Sequence, residues 1–384
     1  MRLNQFTQAE EYAQATLALA RQLDDPLIQS DVFLNLSTLY GHRADWTGAQ
    51  RAAEQALVRA QAAASPRLEA NSLQNIGCSY LYRGEVWQGL DYLQRALALY
   101  HTVVASAGGT NYQTEGFLCL DLAIAYQSAG DLMQAHAYYQ QTVAIYRRMS
   151  IPSLGVYGLA CLSELHLQLG CFDQARIDAE MAWEISRSMG SRLAEGTVLG
   201  NLAYAHYQLG DWVKADQTCQ VLLERIKPLG LTLMHPFVYF MQGELARRRG
   251  QWQAALAAYA TARQEYITIE QLARAISTQA KMAQVWLQVG NLPQALAQVE
   301  EILPHLSQTG QNSWLETTAD YWICYQVLAA VYDPRATAIL QQGYQHVQAQ
   351  ANCITDEALR HTYLTHVTAN RALVELAVQV SIHE

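Results

Sequence analysis

The stretch NLAYAHYQLGDWVKADQ, residues 201–217, joins one apolar helix-forming run to a second through a glycine, and the same join returns at a fixed interval. LQLGCFDQA, YQLGDWVKA, RRRGQWQAA and LQVGNLPQA place Gly170, Gly210, Gly250 and Gly290 at a spacing of 40. A period of this size is the mark of a stacked repeat, because each unit is too small to bury its own apolar face and must cover it with its neighbours. Gly84 in YRGEVWQG and Gly130 in YQSAGDLMQA extend the series toward the N-terminus, their step lengthened to 46 by an insertion around AGGTN at 107–111. Further upstream Ala44 and Asn4 stand in the glycine's place.

Each unit reads as two helices. The first ends at a glycine suited to a left-handed C-cap, and Asp131, Asp211 or Asn291 opens the next by capping its free amides. Two residues past the glycine comes a large side chain (Trp46, Leu132, Phe172, Trp212, Trp252, Leu292), and three further a small one (Ala49, Gly89, Ala135, Ala175, Ala215, Ala255, Ala295). Another small residue lies seven before the glycine, as Ser37, Gly77, Ala123, Ser163, Ala203, Gly243 and Ala283. Small residues facing across a pair let two backbones approach, and the large one fills the wedge beside them. First helices are expected at 27–42, 66–83, 111–129, 152–169, 191–209, 232–249, 271–289 and 311–331. Their partners are expected at 45–63, 85–105, 131–149, 171–189, 211–228, 251–269, 291–308 and 334–350. Pro66, Pro152, Pro236, Pro293 and Pro334 fall at or near helix starts, where proline is tolerated. The pattern predicts an all-α, right-handed superhelix of about eight helix pairs, with residues 1–350 as the repeat array and 351–384 as C-terminal capping helices. The chain opens on the second helix of a unit, with Phe6 and Ala9 in the Trp212 and Ala215 positions; an uncapped helix there is a candidate surface for homo-oligomerisation.

Composition narrows the function classes. The formal charge is −9, with only three lysines and no basic stripe, so direct nucleic-acid binding is not expected. No run of about 18 apolar residues is present and the N-terminus lacks the apolar core of a signal peptide, so no membrane partner is expected and the location is read as cytoplasmic. The seven cysteines show no CxxC pair and read as small packing residues.

The glycine, aromatic and alanine set, as in Ala203, Gly210, Trp212 and Ala215, resembles the tetratricopeptide repeat family. It is closest to the lengthened type of about 40 residues in the C-terminal arrays of bacterial regulators such as the maltose activator and related STAND NTPases, of some nucleotide cyclases and of CHAT-type proteases. The likeness covers about residues 3–350, and LRHTYLTHVTANRAL at 359–373 is similar to the closing segment of those arrays. It implies a non-catalytic scaffold that binds a protein or peptide, the sensor or partner-docking portion of a signalling or transcription-regulatory protein. Two alternatives stay open: an array that controls an NTPase, cyclase or protease module, and a sensor of a small ligand.

No phosphate-binding glycine loop, nucleophile elbow or zinc-protease motif occurs, so no catalytic residue, cofactor or metal is expected. His166 and His206, each four before a glycine, take a position filled elsewhere by Tyr40, Tyr80, Tyr126 and Trp286, and read as core histidines rather than a metal pair. In an array of this type, side chains thirteen, ten, six, three and two before each turn glycine face the concave groove. That rule selects Tyr157, Glu164, Tyr204, Tyr207, Phe237, Phe240, Glu244, Arg247, Arg248 and Gln284, a mixture suited to gripping a peptide by stacking and bidentate hydrogen bonds. On this reading Tyr204, Phe240 and Arg247 are removable together without loss of fold.

Overall fold

The computed structural model describes residues 2–107, 112–226, 234–306 and 317–381. Among them are nineteen α-helices and no strand. They are α1 Arg2–Gln22, α2 Pro26–His42, α3 Trp46–Ala62, α4 Pro66–Tyr82, α5 Val86–Ala107, α6 Tyr112–Ala129, α7 Leu132–Met149, α8 Pro152–Gln168, α9 Phe172–Ser188 and α10 Arg192–Gln208. The series continues with α11 Trp212–Ile226, α12 His235–Arg248, α13 Trp252–Thr268, α14 Leu272–Gln288, α15 Leu292–Ile302, α16 Thr317–Ala330, α17 Arg335–Cys353, α18 Glu357–Thr365 and α19 Thr368–Ser381. The glycine-rich insertion at 107–111 falls almost wholly outside the described residues, as does the expected helical start at 311–316 and the side chain of Phe6.

Two compact units are present, one of residues 1–130 and 134–154, the other of 131–133 and 155–384. In the first, α2 packs on α3 and α4 on α5; in the second, α9 on α10, α10 on α11, α12 on α13, α13 on α14 and α16 on α17. The small residues sit where the pairs cross. Gly77 and Gly89 face each other, so that a Cβ on Gly89 would lie 2.9 Å from Gly77 O and one on Gly77 would lie 3.0 Å from Gly89 O. Ala175, Ala203, Ala215, Ala255, Ala283 and Ala295 are fully buried. Ala255→Leu is therefore expected to lower the unfolding free energy by about 1–3 kcal/mol through overpacking, read by urea unfolding; wild-type stability would remove Ala255 from the close-contact position.

The turns explain the helix length. Gly84, Gly170, Gly210, Gly250 and Gly290 take φ of 83°, 77°, 81°, 71° and 77°, and Ala44, in the glycine's place, takes 58°. At Gly210 the amide donates to Tyr207 O at 3.1 Å and Asp211 N donates to His206 O at 2.9 Å, which satisfies the carbonyls left open by the helix end. The opposite turns use the same device, at Gly190 with φ of 66° and elsewhere without a glycine: Asp24, Ala64, Ser150 and Glu270 have φ of 51°, 46°, 53° and 60°. A left-handed residue thus recurs every 20 positions within the regular stretches, and helices α2, α3, α4, α9, α10, α13 and α14 are each 17 residues long. One partner helix is shorter than its apolar pattern: α15 stops at Ile302 and continues as a 3-10 turn, Leu303–His305. Pro304 has no amide to donate back along an α-helix, which breaks the ladder there.

Candidate functional site

In the unit of residues 155–384, α10 touches α12 and α14 touches α16, so first helices of successive pairs lie side by side as one wall. Tyr204 and Tyr207 come from α10, Phe237, Phe240, Glu244, Arg247 and Arg248 from α12 or its C-terminal turn, and Gln284 from α14, because each lies at the same offsets from its turn glycine.

The wall centres on one buried carboxylate. Glu244 is 2% exposed. It accepts hydrogen bonds from Tyr207 Oη, from Tyr259 Oη at 2.6 Å and from Arg247 Nη2 at 2.9 Å, with Lys281 Nζ at 3.9 Å. Arg247 Nη2 and Arg248 Nε each also donate to Tyr207 Oη at 3.2 Å, and the Arg248 guanidinium lies over the rings of Tyr207 and Trp212 at 5.6 and 5.9 Å. Burial by itself would raise the Glu244 carboxyl, but Lys281, Arg247 and the hydrogen bonds to it hold it far below the ordinary carboxylate range. Burial and the same carboxylate push the Tyr207 hydroxyl up to about 12 and the Tyr259 hydroxyl well above its usual value. Glu244 is ionised and both phenols keep their protons at neutral pH, so these three form a clamp between helices rather than an acid–base pair.

The structure gathers Tyr207, Glu244, Arg247 and Arg248 into this cluster, and stacks Tyr204 on Tyr207 with ring centroids 6.2 Å apart. Phe240 packs against Tyr259 at 5.9 Å, and Phe237 is half-buried beside Gly200. Gln284 is half-buried on α14. Tyr157 on α8 is 46% exposed, and Arg248 is exposed as well. Glu164, also on α8, is half-buried; burial pushes its carboxyl up to about 7 while Arg274 on α14 pulls the other way.

Tyr204 and Phe240 are buried and Arg247 is ion-paired to Glu244, so removing the three together would damage packing. That corrects the expectation from spacing that they are dispensable to the fold: aromatic side chains on adjacent helices pack on one another first. Tyr259 and Lys281 are members that the groove rule passes over. Tyr259 sits on a second helix, nine past Gly250, and only the position of Lys281 among three lysines marked it in the sequence.

His166 lies buried with Nδ1 2.7 Å from Asp178 Oδ2, and burial lowers His206. Among the described residues no group of three or more His, Cys, Asp or Glu is placed to hold a metal ion, and no helix is long and apolar enough to cross a membrane. Cys119, Cys219 and Cys324 are buried packing residues, whereas Cys353 is exposed, a departure from the uniform reading of the cysteines.

The family profile of the tetratricopeptide repeat matches residues 119–150. No match was found among curated protein sequences. Of solved structures, the STAND protein with a tetratricopeptide repeat sensor from Pyrococcus horikoshii is 16% identical and superposes with a TM-score of 0.55, over 92% of this chain and 55% of that one. The chain therefore spans about half the length of that protein. A Rap protein complexed with competence and sporulation factor is 12% identical with a TM-score of 0.58, over 91% of this chain and 99% of that one. NprR in complex with its cognate peptide NprX is 13% identical with a TM-score of 0.52, over 77% of this chain and 88% of that one. At these identities the likeness is one of fold, and it agrees with the turn and crossing geometry described above: the helix pairs of this chain pack in the manner of tetratricopeptide repeats.

Proposed function

We propose that the chain is a non-catalytic scaffold that takes a peptide or an extended protein segment along the first-helix wall between Tyr157 and Gln284, as the sensor or docking portion of a regulatory protein. The observation that carries this reading is the clamp around Glu244, which fixes side chains of three successive first helices before any ligand arrives. Pre-ordered walls lower the entropic cost of binding. On the same wall, exposed Tyr157 and Arg248 offer an aromatic face and a guanidinium, the usual anchors of an interface. The fold likeness to a Rap protein and to NprR, both solved with a factor or peptide bound, supports the same reading. A second reading, an array that regulates a catalytic module, is favoured by the match to the STAND protein, where 55% of that chain is covered and the rest has no counterpart here.

Peptides selected against the wild-type chain from a displayed random library are expected to lose about tenfold or more in affinity when Tyr157→Ala and Arg248→Glu are combined. Substitution at exposed Tyr157 changes stability by only about 0.5 kcal/mol; Arg248 also donates to Tyr207 Oη, so the thermal midpoint falls with its loss and affinities are compared well below the midpoint of the double variant. Equal affinity of every selected peptide for the double variant would remove this wall as the binding site.

A further inference from the structure

In a chain whose formal charge is −9, three cations stand around one carboxylate: Arg247 and Lys281 face Glu244, and Arg248 joins them through the Tyr207 hydroxyl. Neighbouring charges at the same edge are matched one to one. Lys214 Nζ lies 2.9 Å from Asp211 Oδ2, and Arg249 Nη2 lies 2.9 Å from Asp216 Oδ2. Arg248, one residue from Arg249, has no carboxylate among the described residues.

Arg248 is held in place without being neutralised. Its Nε donates to Tyr207 Oη at 3.2 Å, and its guanidinium lies 5.6 and 5.9 Å from the ring centres of Tyr207 and Trp212. Tyr207 is fixed in turn, since its hydroxyl donates to Glu244 and accepts from Arg247 Nη2 at 3.2 Å, so two guanidinium groups converge on one oxygen. The Nη groups of Arg248 bond to nothing among the described residues, and the residue is exposed. Arg247 shows the same excess of donors: its side chain is 10% exposed, and its Nε is buried with no hydrogen-bond partner. A guanidinium fixed through Nε and through its faces presents the edge between its Nη atoms, the fork that takes two oxygens of one anion side by side. Beyond about 10 Å salt screens the negative charge of the rest of the chain, so this cluster decides what is attracted to it. Beside the fork, Trp212 is 40% exposed, and Leu209 and Val213 of the same turn are exposed as well, which sets apolar surface next to the charge.

We propose that Arg248, backed by Arg247, is a binding site for a phosphate monoester whose organic group lies against Trp212 at the α10–α11 turn. The inference rests on the groove reading above for the face that a partner approaches, and adds the chemical group that this face selects. A phosphate monoester fits better than a carboxylate because it carries a charge of about −1.5 to −2 at neutral pH and offers a third oxygen beyond the two that the fork takes.

Peptides from a random library carry no phosphate, so this site and the peptide-binding wall fail independently. Phenyl phosphate is titrated with the full chain and followed by phosphorus nuclear magnetic resonance. Benzoate, the same ring with a single charge, is expected to displace it only at about tenfold or more higher concentration. Arg248→Gln is expected to lower the affinity by about tenfold or more, and Arg248→Lys, which keeps a charge but not the fork, falls between. Arg249→Gln, which removes the paired charge next door, leaves the affinity within about twofold. Circular dichroism below the unfolding midpoint checks the helices of each variant, and Arg248→Lys alone decides if the glutamine variant does not fold. A capped phosphoserine tripeptide that binds more tightly than phenyl phosphate assigns the ester to a protein side chain; binding no tighter assigns it to a small phosphorylated compound. Absence of phenyl phosphate binding by the wild type, displacement by benzoate at equal concentration, or equal losses in the Arg248→Gln and Arg249→Gln chains would overturn the site.

Discussion

Glu244→Ala is expected to lower the unfolding free energy by roughly 3–5 kcal/mol at neutral pH, the cost of breaking a buried ion pair from one side. The carboxylate accepts from Tyr207, Tyr259 and Arg247 and faces Lys281, whose side chain, like that of Arg247, is almost wholly buried. With alanine there, two cations stand close together without the anion between them, and two phenols lose their acceptor. Glu244→Gln should fall between the wild type and alanine, since an amide oxygen still accepts but no charge offsets Arg247 and Lys281. Urea unfolding followed by helix content decides the matter. A loss under about 1 kcal/mol for alanine would place the network among exposed ion pairs, which contribute little.

Gly243→Ala should also destabilise, by about 1–3 kcal/mol, although alanine is the better helix former by about 1 kcal/mol. A Cβ at that position would lie 2.5 Å from both Cδ1 and Cε1 of Tyr259. The ring is fully buried and its hydroxyl is held by Glu244 at 2.6 Å, so it has neither space nor freedom to retreat. Adding Tyr259→Leu to Gly243→Ala tests the cause, because the smaller side chain removes the clash; if the alanine then costs as much as before, the ring is not what the glycine accommodates. Equal or greater stability of Gly243→Ala on its own would show that propensity outweighs the crossing.

The sequence carried the repeat because its turns need residues that few side chains replace. Gly170, Gly210, Gly250 and Gly290 all adopt the left-handed conformation that their spacing implies, and Gly77 meets Gly89 where the small positions of a pair should touch. Most of the half-period stayed hidden, since only Gly190 marks it with a glycine while Asp24, Ala64, Ser150 and Glu270 take the same conformation with a side chain attached, at a strain of about 1–2 kcal/mol each. Of the candidate site, the offsets placed Tyr207, Glu244, Arg247 and Arg248 on neighbouring helices. Offsets do not say what a side chain bonds to, and Tyr259 reaches the same carboxylate from a second helix. A Cβ at Gly170 would lie 3.1 Å from Thr362 O, a cover equally out of reach: the glycine looks like all the others in the sequence, and Thr362 lies at the far end of the unit.

In the regular stretches seventeen helical residues and a three-residue turn make the half-repeat a fixed length, and length there acts as a ruler. One residue added within a helix turns everything beyond it by about 100°, since a turn takes 3.6 residues. The apolar stripe downstream of the insertion would then face solvent while its polar side faced the neighbouring pair. A chain built this way can exchange side chains widely, but it can gain or lose length inside a helix only in multiples that restore the facing, and a whole pair is the smallest change that leaves every crossing as it was. The 46-residue step from Gly84 to Gly130 takes up most of its extra length at the C-terminal end of α5, which runs to 22 residues against the regular 17.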